Sequence, residues 1–166
     1  MKMDLIQPFI GSLDAVLAEI TKAPVSIADL TMEEEGYRRR GLAAVVDFQG
    51  QIEGRIILDM EPHAAAKIAE YMAGGEVGLS DAVVSETLCE LANIVIGNAV
   101  TLLNDRGFRF RVLPPSLLTE DQCARIGNDS EATILSFDTP VGAVHLNISM
   151  RYHSRSSGGH PPAAVA

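Results

Sequence analysis

The chain has 166 residues, 47% of them hydrophobic, which is enough for one folded domain with a core of its own. Its formal net charge is −9, and it carries no basic stripe interleaved with aromatic residues, so we expect no nucleic-acid binding. The sequence also predicts a cytoplasmic protein that does not enter a membrane. It has only two cysteines, Cys89 and Cys123, and its N-terminal region is unlike an export signal. No apolar run approaches the ~18 residues of a membrane span.

The first half of the chain reads as helix, strand and hairpin, followed by a second helix. The predicted segments are a helix within 1–22, a strand over 25–32, a charged connection over 33–40, strands over 42–48 and 52–60, and a helix over 62–73. Proline is best tolerated in the first helical turn, so Pro8 places the regular start of the first helix near Gln7 or Pro8. Asp4 is then expected to lie outside the regular helix. Gly74 follows the second helix as a stop signal.

The second half repeats this order around a long helix. The predicted segments are a helix over 80–105, a strand over 108–113, an irregular or partly helical stretch over 114–128, and strands over 131–138 and 142–150. Ser80 or Asp81 caps the long helix. The last residues are rich in Ser, Gly, Pro and Ala. We therefore expect a single domain over 1–152 and a flexible tail over 153–166.

The two halves resemble each other in sequence. The runs around Phe48 and Phe137 match, and Asp4, Gln7 and Gly11 on the first helix mirror Glu90, Asn93 and Gly97 on the long helix. This duplication predicts an α+β fold of two helix–strand–hairpin halves. The hairpins are expected to join one antiparallel sheet whose face the helices cover.

A row of polar residues and one glycine follows the side of the long helix opposite its apolar face. Steps of three and four residues place Glu86, Glu90, Asn93, Gly97, Thr101 and Asn104 on that side. On periodicity alone, an ordinary solvated helix face explains this row. However, a mid-helix asparagine costs about half a kcal/mol and a mid-helix glycine ~1 kcal/mol relative to alanine. A surface that inserts Asn93 into a partner explains their combination with Glu90 better.

The chemistry available to this row is limited but specific. A rigidly held carboxamide can orient a water for in-line attack on a phosphoryl group. A carboxylate one turn earlier can pair with a lysine of the partner and fix the docking. Such a pair can complete an active site that already carries its own metal and phosphate.

Other kinds of site lack support in the sequence. The four histidines, His63, His145, His153 and His160, show no ligand spacing, and neither CxxC nor HExxH occurs, so no metal site is predicted. Phosphate-binding glycine motifs and a GxSxG nucleophile motif are also absent.

The segment ELANIVIGNA, Glu90 to Ala99, resembles the E-x-x-N-x-x-x-G motif of the CheC/CheX/FliY family of chemotaxis phosphatases. The flanks MAGGEVGLSD and GFRFRVLPPSLLTE and the run GQIEGRIILDM also fit, so the resemblance covers about residues 5–150. It implies a CheC-like fold and hydrolysis of the aspartyl phosphate of a CheY-like response regulator. By this resemblance Asn93 orients the attacking water and Glu90 pairs with the regulator's lysine. Gly97 belongs to the partner-binding surface, and Glu86 either attracts a basic rim on the regulator as part of that surface or is an ordinary solvated residue.

The resemblance also bears on cofactor, site number and assembly. The phosphorylated regulator is expected to supply Mg²⁺, and the phosphatase needs no metal of its own. One family branch has a motif in each half, whereas the CheX-like branch has only the second motif and forms a homodimer through its sheet. Here Asp4 and Gln7 replace the Glu and Asn of a first motif, so we expect one active site per chain and a CheX-like homodimer. No edge strand is evident from the sequence, and Ile96 is expected to narrow the docking surface beside Asn93.

A second function class stays open at this point. Flagellar-switch relatives use a similar duplicated fold without the motif, so a non-catalytic response-regulator-binding or switch-like interaction module is the alternative. A metal-free hydrolase of small phosphoesters is a third interpretation, but the sequence offers it no nucleophile and no basic phosphate pocket.

Overall fold

The computed structural model describes residues 3–33, 39–118 and 132–152. The helices are α1 (Met3–Thr21), α2 (Pro62–Met72) and α3 (Asp81–Asp105), and the strands are β1 (Ser26–Glu33), β2 (Leu42–Gly50), β3 (Ile52–Met60), β4 (Phe110–Val112), β5 (Ser116–Leu117), β6 (Ala132–Thr139) and β7 (Gly142–Tyr152). The predicted α+β class is confirmed. Most of the predicted charged connection, the stretch 119–131 and the predicted tail 153–166 lie outside the described residues.

All the strands join one antiparallel sheet in the order β1-β6-β7-β3-β2-β4, and β5 also pairs with β2. The two predicted hairpins, β2–β3 and β6–β7, meet through the pairing of β3 with β7. The first strand of each half crosses over: β1 pairs with β6 of the second half, and β4 pairs with β2 of the first. The duplication inferred from the sequence therefore appears as an exchange of strands between the halves.

The main core lies between one face of the sheet and the three helices. It is mostly aliphatic, and the phenyl rings of Phe9, Phe48 and Phe137 are buried within it. Phe9 of α1 stacks on Phe48 of β2 with ring centroids 6.2 Å apart. The period of about 3.6 residues on the helices and of two on the strands directs these apolar positions to a single layer. This core places α3 against α1 and the sheet, with one side of α3 facing outward.

Helix α1 begins earlier than the sequence predicted. It starts at Met3, so Asp4 lies inside the helix, and Pro8 sits in its interior. Proline has no N–H, which leaves the carbonyl of Asp4 without its usual donor four residues on. The guanidinium Nη1 of Arg106 donates to that carbonyl at 3.3 Å. The prediction that Asp4 lies outside the helix was therefore wrong, because a donor from the end of α3 replaces the missing one.

The strands after α3 also differ from prediction. The strand predicted over 108–113 is only Phe110–Val112, and Ser116–Leu117 forms a strand in a stretch expected to be irregular or helical. Both pair with β2, and Pro114 and Pro115 lie between them. Because proline cannot donate to a sheet ladder, the pair divides what would be one edge strand into two short ones.

Among the described residues, α3 alone has the length and hydropathy that a membrane-crossing helix requires. Its apolar side, including Leu91 and Val95, is buried against the rest of the domain, and its other side carries Glu86 and Glu90. The core position of this helix accounts for its composition.

Candidate active site

The N-cap fixes where α3 begins, and the buried side of the helix determines which of its residues face outward. The side-chain oxygen of Ser80 accepts a hydrogen bond from the backbone N–H of Val83 at 3.3 Å, which confirms Ser80 as the N-cap. The side chains that enter the core recur every three or four residues, namely Val84, Leu88, Leu91, Ala92, Val95, Ile96, Ala99 and Leu103. Because these positions face inward, the row that contains Glu90 and Asn93 must face outward.

Glu90 and Asn93 lie side by side on this outward face. Both are exposed, and a separation of three residues on a helix places their Cβ atoms about 5–6 Å apart. Within the described part of the chain, neither side chain has a hydrogen bond or an ion pair. The carboxylate and the carboxamide are therefore both available to a group from outside the chain.

Gly97 follows Asn93 by one turn on the same face. It is exposed, and a Cβ built at this position would have no heavy atom within 4 Å. Its φ is not in the left-handed region, so no backbone strain requires glycine here. An alanine would suit the helix better by ~1 kcal/mol. The absence of a side chain at Gly97 leaves space for the surface of another molecule.

The row continues at both ends but not uniformly. Glu86 is exposed one turn before Glu90 and adds a second negative charge to the face, as predicted. Thr101 is exposed, and its hydroxyl donates to the carbonyl of Gly97 at 2.9 Å. Asn104 departs from the prediction: it is only half-exposed, and its Oδ1 is buried without a hydrogen-bond partner. The outward polar face thus extends from Glu86 to Thr101.

The expectation for Ile96 was wrong. Its side chain is 1% exposed and belongs to the core, because it falls on the buried side of the helix next to Ala92 and Ala99. The exposed isoleucine of this segment is Ile94, which is 39% exposed and neighbours Glu90 on the helix surface. Its position one turn after Glu90 is the signal by which sequence periodicity could have found it.

A family model described as "Chemotaxis phosphatase CheX" matches residues 42–138, which is more than half of the chain. This chain belongs to the CheX family. No curated protein sequence matches it significantly.

Solved structures of CheX and CheC-like proteins share the fold of this chain. A CheC-like superfamily protein from Shewanella sp. PV-4 is similar with a TM-score of 0.77 and 24% identity, covering 91% of this chain and 99% of that one. The chemotaxis protein CheX from Vibrio vulnificus has a TM-score of 0.74 and 21% identity, covering 89% and 99% of the two chains. A chain of the CheX–CheY–BeF3–Mg²⁺ complex from Borrelia burgdorferi has a TM-score of 0.72 and 28% identity, covering 90% and 99%.

In this CheX-family chain, α1 presents a row with the same spacing as the row on α3. Asp4, Gln7 and Gly11 are all exposed on α1. Because Asp4 lies inside the helix, contrary to the prediction, it shares a face with Gln7, and its position gives no reason against a first site. What still distinguishes the two rows is residue type: a shorter acid precedes a longer amide on α1. One active site per chain remains a prediction.

Other reactive groups lie away from the outward face of α3 or are inert. The Cys89 side chain is half-buried next to Glu90, and burial raises the pKa of its thiol, which disfavours the nucleophilic thiolate. His145 lies on β7, on the sheet face opposite the helices, where it contacts Ser136. Across the described ranges, no three His, Cys, Asp or Glu side chains come together as a metal site would require. Cys123 and two of the histidines lie outside those ranges.

Proposed function

We propose that this CheX-family protein is a cytoplasmic hydrolase that removes the aspartyl phosphate from the receiver domain of a CheY-like response regulator. One observation carries the proposal: Glu90, Asn93 and Gly97 share an exposed face on which the Glu90 and Asn93 side chains have no hydrogen bond or ion pair within the described residues, and no atom lies within 4 Å of a Cβ built at Gly97. The CheX–CheY–BeF3–Mg²⁺ complex of the Borrelia relative supports a CheY-like partner.

Asn93 acts on the attacking water. Its amide oxygen accepts one water hydrogen, which turns the water's lone pair toward phosphorus. A bond then forms from the water oxygen to phosphorus, and the bond from phosphorus to the aspartyl oxygen breaks. The electron pair stays on the regulator's carboxylate, and both protons of the water leave with inorganic phosphate. Orientation is the main contribution of this residue, since phosphoryl transfer is catalysed largely by positioning and electrostatics.

Glu90 fixes the docking geometry. Its carboxylate pairs with the lysine of the receiver's own phosphate site, so that docking places the Asn93 amide beside the phosphoryl group. Glu86, one turn earlier, attracts basic residues at the rim of the receiver's phosphate site. The Mg²⁺ that neutralises charge on the transferred phosphoryl group is proposed to come with the regulator.

The test is loss of phosphate from a purified phosphorylated receiver domain of the same organism. We expect Asn93→Ala to lower kcat at least ~100-fold while binding to the receiver is retained. The matched control is Asn98→Ala, which removes another exposed amide from the same helix but about 140° round its axis from Asn93. An Asn93→Ala variant that hydrolyses the phosphate as fast as the wild type would contradict the proposed role of Asn93. Binding by the wild type without any acceleration would favour the alternative, a non-catalytic interaction module.

We also propose that the protein forms a homodimer through β1. This strand is one edge of the sheet, and Ile27, Leu30 and Met32 on it are 51%, 49% and 58% exposed. Ile27 and Leu30 pair with Phe137 and Leu135, which face the helix layer, so the exposed side chains extend that apolar face to the sheet edge. Long exposed apolar edges invite strand pairing. Pairing with β1 of a second copy would satisfy the edge and cover these side chains.

Sedimentation of the full chain tests this assembly. We expect the wild type to sediment as a dimer and Leu30→Glu as a folded monomer. Tyr71→Glu on α2 is the control, because Tyr71 is equally exposed, at 48%, but lies away from the strand. A monomeric wild type, or a dimer unaffected by Leu30→Glu, would contradict assembly through β1.

A further inference from the structure

Three large apolar side chains of α3 are exposed, although most of its other large aliphatic residues are buried. Val83 is 38% exposed, Ile94 is 39% exposed and Leu102 is 49% exposed. Singly exposed apolar residues are common on protein surfaces and need no explanation. Ile94 is the nearest of the three to Glu90 and Asn93, since Val83 lies on the side of Glu90 but two turns before it, and Leu102 lies three turns after Glu90.

Helix geometry places Ile94 beside Glu90, one residue of the proposed catalytic pair. At about 100° per residue, Ile94 lies about 40° round the helix from Glu90 and one turn beyond it. Helical side chains lean toward the N-terminus, so the Ile94 side chain covers the turn that carries Glu90. On its other side, three residues on, Gly97 contributes no side chain, and nothing within 4 Å would meet one. The isoleucine therefore stands beside an open space.

The size of a docking surface makes contact with Ile94 unavoidable. A stable interface covers about 800 Å² on each partner, equivalent to a patch of about 16 Å radius. Along a helix with a rise of about 1.5 Å per residue, a patch centred between Glu90 and Asn93 extends about ten residues in each direction. A receiver whose phosphate site reaches Asn93 must rest on Ile94.

The polar pair alone is a weak anchor. Exposed ion pairs contribute little net affinity, because both charges lose hydration and are screened by salt. Interfaces gain most of their affinity from a few fully desolvated side chains near the centre, and the contacts around these side chains exclude bulk water. Ile94 is the exposed apolar residue nearest that centre.

We propose that Ile94 is the specificity contact that seats the receiver domain, selecting receivers that present an apolar side chain next to the lysine of their phosphate site. The proposal rests on the phosphatase function above and adds the kind of partner surface that fits it. Glu86 and Glu90 match a basic rim on one side of the contact, and Ile94 matches an apolar patch on the other. Catalysis remains with Asn93, while Ile94 affects which receivers bind and how tightly.

The experiment measures steady-state hydrolysis of a phosphorylated receiver and the Kd for the same receiver loaded with BeF3 and Mg²⁺. We expect Ile94→Ala to raise KM and Kd about tenfold or more and to leave kcat within about twofold. Ile94→Val should restore most of the affinity. Leu102→Ala is the matched control, because Leu102 is at least as exposed but lies about 120° round the helix from Glu90. It should bind like the wild type. Thermal melting of each variant checks that the fold is intact.

The outcomes separate this inference from the function beneath it. If Ile94→Ala binds like the wild type while Asn93→Ala is inactive, the phosphatase proposal stands and the role of Ile94 is overturned. An Ile94→Ala variant that loses kcat but keeps its affinity overturns it equally. If Asn93→Ala remains fully active, the function itself fails, and the inference fails with it.

Discussion

The hydroxyl of Ser12 donates a 2.7 Å hydrogen bond to the backbone carbonyl of Val95 and so joins α1 to α3. The bond is buried and lies behind the exposed Glu90–Asn93 face. We expect Ser12→Ala to lower the free energy of unfolding by about 1 kcal/mol, because a buried acceptor loses its second donor. Urea denaturation measures the change. Thr101→Ala is the control: it removes an exposed hydroxyl bond to Gly97 and should cost less than about 0.5 kcal/mol. Equal costs for the two variants would contradict a structural role for Ser12.

Replacing Gly97 by alanine should raise the stability of the fold but slow the hydrolysis of the receiver's phosphate. Neither Gly97 nor Gly11 has an atom within 4 Å of a built Cβ, and neither has a positive φ. Each Gly→Ala change is expected to raise the free energy of unfolding by up to about 1 kcal/mol. Only Gly97→Ala should also slow receiver hydrolysis, because its methyl group enters the docking space beside Asn93. If Gly97→Ala is as active as Gly11→Ala, the open space at Gly97 is not part of the docking surface.

Arg106 should stabilise α1 only while Pro8 is present. Arg106→Ala removes the donor to the Asp4 carbonyl and is expected to cost about 0.5 kcal/mol. In a Pro8→Ala background, the new backbone N–H can donate to the same carbonyl, so the arginine becomes dispensable. A double-mutant cycle by urea denaturation measures the coupling. Strictly additive effects of the two changes would show that the guanidinium does not replace the missing bond.

Acid should destabilise the fold through His145. Its Nδ1 lies 2.9 Å from the Ser136 hydroxyl and 3.4 Å from Nη1 of Arg40. Burial and the Arg40 charge lower the pKa of His145 from its ordinary 6.5, against the opposing charges of Asp59 and Glu61.

The sign of the pH effect follows from this lowered pKa. The unfolded chain takes up a proton near pH 6.5, whereas the folded chain resists it, so stability is full above that pH and falls as the pH drops below it. His145→Asn should flatten this dependence in urea titrations between neutral and mildly acidic pH. An unchanged slope would mean that other groups determine the response.

Local sequence was sufficient to predict most helices and strands and to identify Glu90 and Asn93 as the candidate pair. Hydrophobic periodicity and the capping and turn residues predicted the long helix, both hairpins and the cap at Ser80, because these depend on contacts between residues close in sequence. The spacing of Glu90, Asn93 and Gly97 also predicted that they share a face. That face is exposed, as a row opposite the apolar side of a core helix must be.

Long-range contacts decided the remaining features. Arg106 completes the first turn of α1 from 102 residues away, which no local rule about Pro8 could anticipate. The edge position of β1 depends on the exchange of strands between the two halves, and only the assembled sheet reveals its exposed Leu30. Ile94 and Ile96 are equally apolar in sequence. Periodicity places Ile94 on the side of Glu90, but the exposed fraction of each side chain, 39% for Ile94 and 1% for Ile96, depends on how α3 packs against α1 and the sheet.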